Sequence, residues 1–576
     1  MANTLLVGID LGTTYTACTV GIIQDNGELH RKRLPIRQLF KSPQESSPFE
    51  SKELLPSVVC FTQGQVYTGD YCRYIYPTDN QTKVIHSIKR QMGNTRWYTK
   101  VEESVYRPRH IAAFILKTVY LSLQKNYPGL QIESVTITIP ASFSSKMRIE
   151  TIEAARISGF ETDKLHLLDE PVAAIFSKWD NEADCFNEIP NDSNILVFDM
   201  GGGTLDASII NISTNNHIIR VLSTSRYNEL AGNDIDIEIA ALMLQKIWIA
   251  MGYSSLSDFL EKEIKIEDRL HFSYKIMEHA GAFKMQLSDA LRNGPAIPLR
   301  DRLEDYCSNK ESLDFQILPH IEFKSNILNH INIPIHEVLK VIEPLISFQK
   351  QYRGKDKINI FNPIDQAIER AKFNYKDISA IGITGGSSYF TPVTNEVFGY
   401  FNTKKQVLLD AFFAVADGAV NWSYLKRSNL WTINEIFGDR IFLKREGMPF
   451  LEIMTNLTVP SDPVERIFDD EICFYTSQKS RGVTLEFFQG DSPEDHLMVC
   501  THIERQIFPR ELSGDIRLNK VIGQIDKNKV FQFEMVFKDE IGDIKTKLDF
   551  ELDSFDNSNK SSISNLSGII LNGEVL

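Results

Sequence analysis

Apolar positions along the first four hundred residues fall into two alternating textures. Short β-branched runs such as Thr4–Ile9, Cys18–Ile23 and Val135–Ile139 have the length and bounding turns of strands. Between them lie stretches with helical apolar spacing. One is Arg109–Gln124, stopped by Pro128 and Gly129. Another can be capped by Ser144 or Ser145 and runs to Ser158, with Gly159 just past its end. Leu196–Ile210 and Ile218–Ser223 predict further strands, and Asp234–Met251 a helix. The window 295–360 is less patterned, with helices expected near 336–349 and 362–372. Ile378–Thr384 predicts a last strand, followed by a glycine pair and a helix from Pro392. Strands alternating with helices imply a mostly parallel α/β architecture.

The texture changes after about residue 425. From Ile441 to Glu551 the chain is short apolar runs broken by turn signals, and VFQFEMVF alternates with period two, as in an all-β module. The expected organisation is therefore a domain over 1–425, a linker over 426–440, a β module over 441–555 and a short polar tail over 556–576, poorly ordered because it is rich in Ser and Asn.

Composition narrows the partners. The chain has 576 residues, too many for one core, and a net charge of −14, which argues against nucleic acid and anionic membranes as general ligands. Its seven cysteines show no CxxC spacing, so they read as reduced thiols rather than as disulfides or a zinc site. With no basic leader and no long apolar run, the expected location is the cytoplasm.

Candidate chemistry lies in three glycine turns. LVFDMGGGTLDASII brings Asp199 to a strand end, then Gly201, Gly202, Gly203 and Thr204, then another strand. VGIDLGTTYTACTV repeats the plan with Asp10, Gly12, Thr13 and Thr14. Such turns can aim backbone N–H groups and hydroxyls at one anion. An aspartate beside each would repel a phosphate, so a cation between them is implied, and hydrated Mg²⁺ suits that role. Facing each other, the turns would form jaws for a polyphosphate. ITGGSS supplies Gly385, Gly386 and Ser387, a strand-to-helix turn able to bring backbone against the rest of a nucleotide. Each turn alone is most simply a structural hairpin; the three in this order are a set.

That set resembles the actin-like ATPase superfamily of actin, sugar kinases and the heat shock protein 70 chaperones. GIDLGTTYT, FDMGGGTLD, LLDEPVAAI, ELAGNDID and ITGGSS are most similar to the chaperones, over residues of about 5 to 550. IKRQMGNTRW resembles the short bacterial DnaK-like proteins of the HscC type. The resemblance implies a two-lobed actin-like (ribonuclease H-like) α/β ATPase domain followed by a β-sandwich. It also implies ATP and ADP as ligands with Mg²⁺, and K⁺ near Asp206.

By the same resemblance, Thr13, Thr14 and Tyr15 line the first phosphate turn and Gly201 to Thr204 the second. Asp10, Asp199 and Asp206 hold the metal through water, Asp206 also helps hold the monovalent cation, and Lys89, Asp10, Glu170, Asp199 and Thr204 are catalytic. An ammonium at Lys89 can steady the attacking water and the γ-phosphate. Alone, it would read as a solvated helix position. Pro140 and Arg148 match an interdomain switch. Gly232, Lys284, Ser288 and Tyr389 match the adenosine side, with Gly281 where a glutamate is usual and Tyr389 where an arginine is usual.

VTLEFFQGD and NLTVP resemble peptide-binding segments of the chaperones' sandwich, and Phe474, Val483 and Leu485 are candidate pocket residues. Ordinary sandwich core is the competing explanation for all three. The family's leucine-rich linker appears only loosely, as Asn429–Ile436, and its helical lid is not recognisable. The implied function is ATP-controlled binding and release of extended apolar client peptides. A J-domain cochaperone and a nucleotide-exchange factor are the implied partners, although His166 and Asp169 depart from the usual J-domain contacts. The alternatives are a low-turnover nucleotide-gated adaptor for one dedicated partner and a small-molecule kinase, for which no substrate base is evident.

Overall fold

A computed structural model describes residues 4–40, 49–62, 64–75, 83–180, 185–186, 188–226, 230–292, 312–316, 330–354, 357–437, 439–445, 448–455, 457–468, 473–474, 482–492, 499–507, 516–549, 570–572 and 574–575. Two sheets of like topology organise the first 430 residues. In the first, strands run in the order Leu165–Asp169, Gln131–Ile139, Thr4–Leu11, Tyr15–Ile23, Leu29–Arg33. In the second the order is Lys405–Leu408, Ala380–Thr384, Ser193–Met200, Leu205–Ser213, Ile218–Thr224. Pairing is parallel, parallel, antiparallel, antiparallel in both. The repeat seen in the glycine hairpins is thus a repeat of whole units.

The crossover helices repeat as well. Pro108–Asn126 and Ser145–Ser158 serve the first sheet, and Phe361–Arg370 and Thr391–Tyr400 the second. Gly159 ends its helix at φ 108°, the left-handed conformation a glycine takes without a Cβ penalty. A third helix in each unit, Glu170–Phe176 and Ala414–Ser428, meets its counterpart between the sheets. Their apolar faces, with Val172, Ile175, Ala414 and Val420, close a core that also takes Leu6 and Val197 from the two central strands.

Sequence patterning did not foresee the outer sheet of the first lobe, built on Val58–Thr62, Gln65–Thr68 and Lys83–His86. It also missed the helices Leu256–Glu263 and Arg269–Arg292. The linker is not a free connector. Residues 426–428 finish the helix Ala414–Ser428, Asn429 caps it at φ 53°, and Thr432–Phe437 pairs in parallel with Ile218–Thr224. Leu457–Val459 then pairs with that strand, so the second lobe's sheet continues into the β module.

The β module is two sheets, ordered Met448–Met454, Arg440–Arg445, Gly482–Gly490, Val499–Ile507 and Val464–Ile467, Ile516–Ile525, Phe531–Lys538, Asp543–Asp549. They share a core in which Ile441, Leu443, Leu485 and Phe487 face Leu518, Phe533, Met535 and Phe537. Most of the expected polar tail, residues 556–569, 573 and 576, lies outside the described residues, and the described part departs from the expectation. Ile570–Leu571 and Glu574–Val575 form an antiparallel pair, and Leu571 is buried in the core of the first lobe.

Candidate functional site

The two acidic hairpins face each other. A Cβ on Gly202 would lie 2.3 Å from Thr14 Oγ1, and one on Gly203 would lie 2.4 Å from Thr13 Cγ2. Any larger residue would push the turns apart. Within its hairpin each aspartate sits at the strand end, Asp10 opposite Ala17 and Asp199 opposite Asp206. The second turn is held by the Gly201 amide donating to the Thr204 carbonyl at 2.9 Å. Thr14 is exposed at this junction, while Gly12, Tyr15, Gly201, Gly202 and Thr204 are partly exposed. The Tyr15 ring meets Phe412 edge-on at 6.2 Å.

The third turn closes against the second. Gly385, at φ 81°, lies where a Cβ would come within 2.4 Å of Asp199 Oδ1. The Ser388 hydroxyl accepts from the Met200 amide at 2.9 Å. The Gly232 and Asn233 amides donate to the carbonyls of Gly201 and Gly202 at 3.0 and 2.8 Å, setting the helix Gly232–Ala250 behind the hairpin. Ser387 packs so near Gly232 that a Cβ there would overlap its hydroxyl. Gly386 is exposed at the edge.

Four carboxylates and an ammonium converge here. Lys89 and Glu170 are both buried and form an ion pair. Burial alone would lower the lysine pKa, but Glu170 and Asp10 outweigh it and raise it. Asp10 is pushed up to about 7 by burial and by Glu170. Asp199 is pushed well up by burial, Glu170, Asp206 and Asp10. Asp206 is pushed up to about 7, chiefly by burial and then by Glu170. Its Oδ1 accepts from the Ser142 amide at 3.1 Å, so this second-lobe carboxylate reaches the first lobe's loop beyond Pro140.

The cleft therefore gathers four carboxylates against one ammonium, and a cation would favour their ionised forms. Among the described residues no group of three His, Cys, Asp or Glu side chains is close enough together to hold a metal ion directly. A donor set of separated carboxylates beside glycine turns fits a hydrated Mg²⁺, which keeps most of its own waters.

The adenosine-side candidates are tied to one another. Lys284 Nζ lies 2.8 Å from Asp236 Oδ1 and donates to the Gly232 carbonyl at 3.2 Å. Ser288 Oγ accepts from the Thr391 amide at 3.0 Å. The Tyr389 hydroxyl donates to the Ile383 and Leu409 carbonyls while its ring packs on the second lobe's core. Gly281, by contrast, borders open space.

Arg148 lies in a buried network that sequence reasoning found only in part. It donates to Asp169 Oδ1 at 2.9 Å and to the Phe143 carbonyl at 3.1 Å, in the turn where the Phe143 amide donates to the Pro140 carbonyl. Lys529, from a β-module hairpin, donates to the other oxygen of Asp169 at 2.5 Å and lies 3.6 Å from Glu435 of the linker strand. Burial would raise the Asp169 pKa, but Lys529 and Arg148 overcome it and lower it. Beside it, the Leu167 amide donates to Asn528 Oδ1 at 3.0 Å and Lys527 Nζ donates to the Asp163 carbonyl at 3.0 Å. His166 meets Trp422 edge-on at 5.7 Å, and its pKa is pushed down to about 4 by burial and by Lys527 and Lys426. Of the two expected J-domain positions, Asp169 is thus covered by the β module, while His166 is half-buried beside Trp422 of the first domain.

The β module also grips the second lobe. Arg226 donates to the Gln489 carbonyl at 2.8 Å and lies 3.3 Å from Asp439. Arg370 meets Asp439 at 2.5 Å and Asp491 at 3.1 Å. Lys529, Glu435, Arg226, Arg370 and Asp439 escaped the sequence reading. Lone charges in loops and strand ends give no periodic signal. Of the peptide-pocket candidates, Leu485 is 1% exposed inside the sandwich core. Phe474 and Val483 lie on strands opposite Ile516 and Gln506, and their side chains are outside the described residues.

Fold and cleft together define a duplicated two-lobed α/β domain, closed on an acidic, glycine-lined cleft and carrying a docked β-sandwich. A family profile described as "Hsp70 protein" matches residues 6–340, more than half of the chain. The chain belongs to the Hsp70 family, whose members are ATP-hydrolysing chaperones. It is 24% identical over 562 residues to the chaperone protein DnaK of Mycoplasmopsis pulmonis, covering 98% of this chain and 80% of that one. With the DnaK of Thermoplasma volcanium it shares 28% over 494 residues, covering 85% and 68% of the two chains. With that of Mycoplasmopsis agalactiae it shares 33% over 247 residues, covering 43% and 36%. Among the described residues no helix is long and apolar enough to cross a membrane.

Proposed function

We propose that this chain is an ATP-driven chaperone in which an actin-like nucleotide domain, residues 1–425, controls a β-sandwich, residues 441–555, that binds extended apolar client segments. The observation that carries the reading is the face-to-face approach of the two acidic hairpins, Gly202 and Gly203 against Thr14 and Thr13. Turn amides and hydroxyls of Thr13, Thr14 and Thr204 hold the phosphates. Asp10 and Asp199 hold the water shell of Mg²⁺, which when bound neutralises phosphate charge and so eases attack at the γ-phosphorus. Asp206, tied to Ser142, shapes the monovalent-cation position.

Lys89 supplies electrostatic stabilisation, and Glu170 holds it in the cleft and accepts from the attacking water. Glu170 directly follows Asp169 in the chain. Asp169 is gripped by Lys529 of the sandwich and by Arg148. A change at the phosphates that moves Glu170 therefore moves the carboxylate on which the sandwich is anchored. That contiguity, with the linker strand laid on the second lobe, is the physical basis for coupling the two activities. Cochaperones that speed hydrolysis or nucleotide release fit this scheme. A J-domain would compete with the sandwich hairpin over residues 163–169.

The saturated adenosine side favours one variation, a low-turnover adaptor gated by nucleotide. Binding of a labelled unfolded peptide, titrated with ATP and with ADP, separates the two. The chaperone reading expects affinity for many apolar peptides to fall with ATP and rise with ADP. Peptide binding indifferent to nucleotide contradicts it.

A further inference from the structure

The C-terminal residues occupy a second strand-accepting site, on the first lobe and far along the chain from the sandwich. Ile570–Leu571 lies parallel to the edge strand Gln65–Thr68, with Leu571 opposite Val66. The Asn572 amide donates to the Val66 carbonyl at 2.9 Å, and the Thr68 amide donates to Asn572 Oδ1 at 2.9 Å. Asn572 Nδ2 donates to Thr68 Oγ1 at 3.1 Å, and Thr68 Oγ1 in turn lies 2.8 Å from Thr118 Oγ1 on the long helix Pro108–Asn126. Leu571 is 1% exposed and belongs to the same core as Phe61, Val66 and Phe114. Asn572 is at φ 51°, and Glu574–Val575 pairs antiparallel with Ile570–Leu571.

These contacts have the features of strand addition: backbone pairing supplies attachment, and a pocket for one side chain with a matched polar partner supplies selectivity. We infer that the Gln65–Thr68 edge is a peptide site for an extended apolar-Asn segment, and that the chain's own Ile570–Asn572 fills it in cis. The sandwich is then held at both ends, by Thr432–Phe437 on the second lobe and by Ile570–Asn572 on the first. Twenty residues, 550–569, connect Asp549 to the clasp. At about 3.3 Å each they reach up to ~66 Å, so the clasp can stay closed while the sandwich leaves the lobes. It keeps the sandwich at high effective concentration near its docking surfaces. This inference does not depend on the chaperone reading, because its site contains none of the nucleotide residues.

The test uses a fluorescent peptide with the sequence of residues 567–576, SGIILNGEVL. Saturable binding to the chain ending at residue 569 is expected, with at least tenfold weaker binding to the intact chain, whose site is filled. The same peptide with Leu571→Asp should bind the shortened chain at least tenfold more weakly. Equal binding to intact and shortened chains, or none to a folded shortened chain, overturns the site. A chain exchanging its end with a second copy would elute as a dimer and overturn the cis assignment. Should truncation prevent folding, hydrogen exchange in full-length Asn572→Ala decides. Exchange of the Thr68 amide at least tenfold faster than in the unaltered chain supports the clasp, and unchanged exchange refutes it.

Discussion

On the phosphate side of the cleft, turn amides and threonine hydroxyls stand at a partly open junction beside carboxylates in excess of cations. On the adenosine side, the candidate groups have already found one another: Lys284 with Asp236, Ser288 with Thr391, Tyr389 with two carbonyls. The first arrangement is poised for a metal-bound ligand, because its crowded carboxylates ionise together most easily when a cation joins them. The second is satisfied without one. Recognition should therefore fall mainly on the triphosphate and its metal, with the base contributing little.

Within the cleft, the largest expected effects lie on the phosphate side. Asp199→Asn removes a carboxylate from the metal's water shell, and Mg²⁺-dependent ATP binding measured by calorimetry should weaken about a hundredfold, by analogy with the 10–100-fold cost of disturbing metal-orienting groups. At least as large, outside the cleft, is the effect of Lys529→Met. Removing one partner of a buried pair costs about 3–5 kcal/mol. Scattering should then show the sandwich released from the first lobe, and limited proteolysis should cut near Glu435. Retained docking would mean that the lobes do not read the sandwich through Asp169.

Acidity sharpens the contrast. Asp10 and Asp206 are raised to about 7. Between the unfolded carboxylate range near 4 and pH 7 the folded state thus binds more protons than the unfolded one. The stability of the nucleotide-free protein falls as pH rises through that window, and Mg²⁺ affinity rises because the ligand needs the ionised forms. Thermal unfolding at pH 5 and pH 8, with and without Mg²⁺, should show the metal's stabilisation growing with pH. Asp169 behaves oppositely: its lowered pKa gives stability present above the ordinary carboxylate range and lost as pH falls. On the adenosine side effects should be smallest. Tyr389→Phe loses one hydroxyl's bonds, about 1 kcal/mol of stability, and should change ATP affinity by less than about tenfold, equivalent to 1.4 kcal/mol.

The same contrast explains what could be read from the chain alone. The phosphate turns were legible because glycines and a strand-end aspartate are demanded by backbone geometry, and geometry leaves a local pattern. Duplication of whole lobes was foreshadowed by the two hairpins, since the pairing scheme is fixed once each hairpin finds its parallel neighbour. Illegible were contacts made between elements distant in sequence. Lys529 meets Asp169 across 360 positions, and Asn572 meets Thr68 across 504. Neither carries periodicity, and Leu571 in a Ser- and Asn-rich stretch reads as tail until its pocket is seen. Leu485 was legible only as an apolar strand position, which is why core and pocket could not be told apart before the two sheets were in view.

The central claim is that facing acidic hairpins, with Lys89 between them, hydrolyse a metal-bound triphosphate. Single-turnover ATP hydrolysis by the intact chain and by Lys89→Ala, at saturating nucleotide and Mg²⁺, tests it most directly. The account predicts a rate lower by about 10²–10³-fold in the variant, as expected for loss of one preorganised charge at the reacting phosphate, with nucleotide still bound. Equal rates in the two proteins would contradict it.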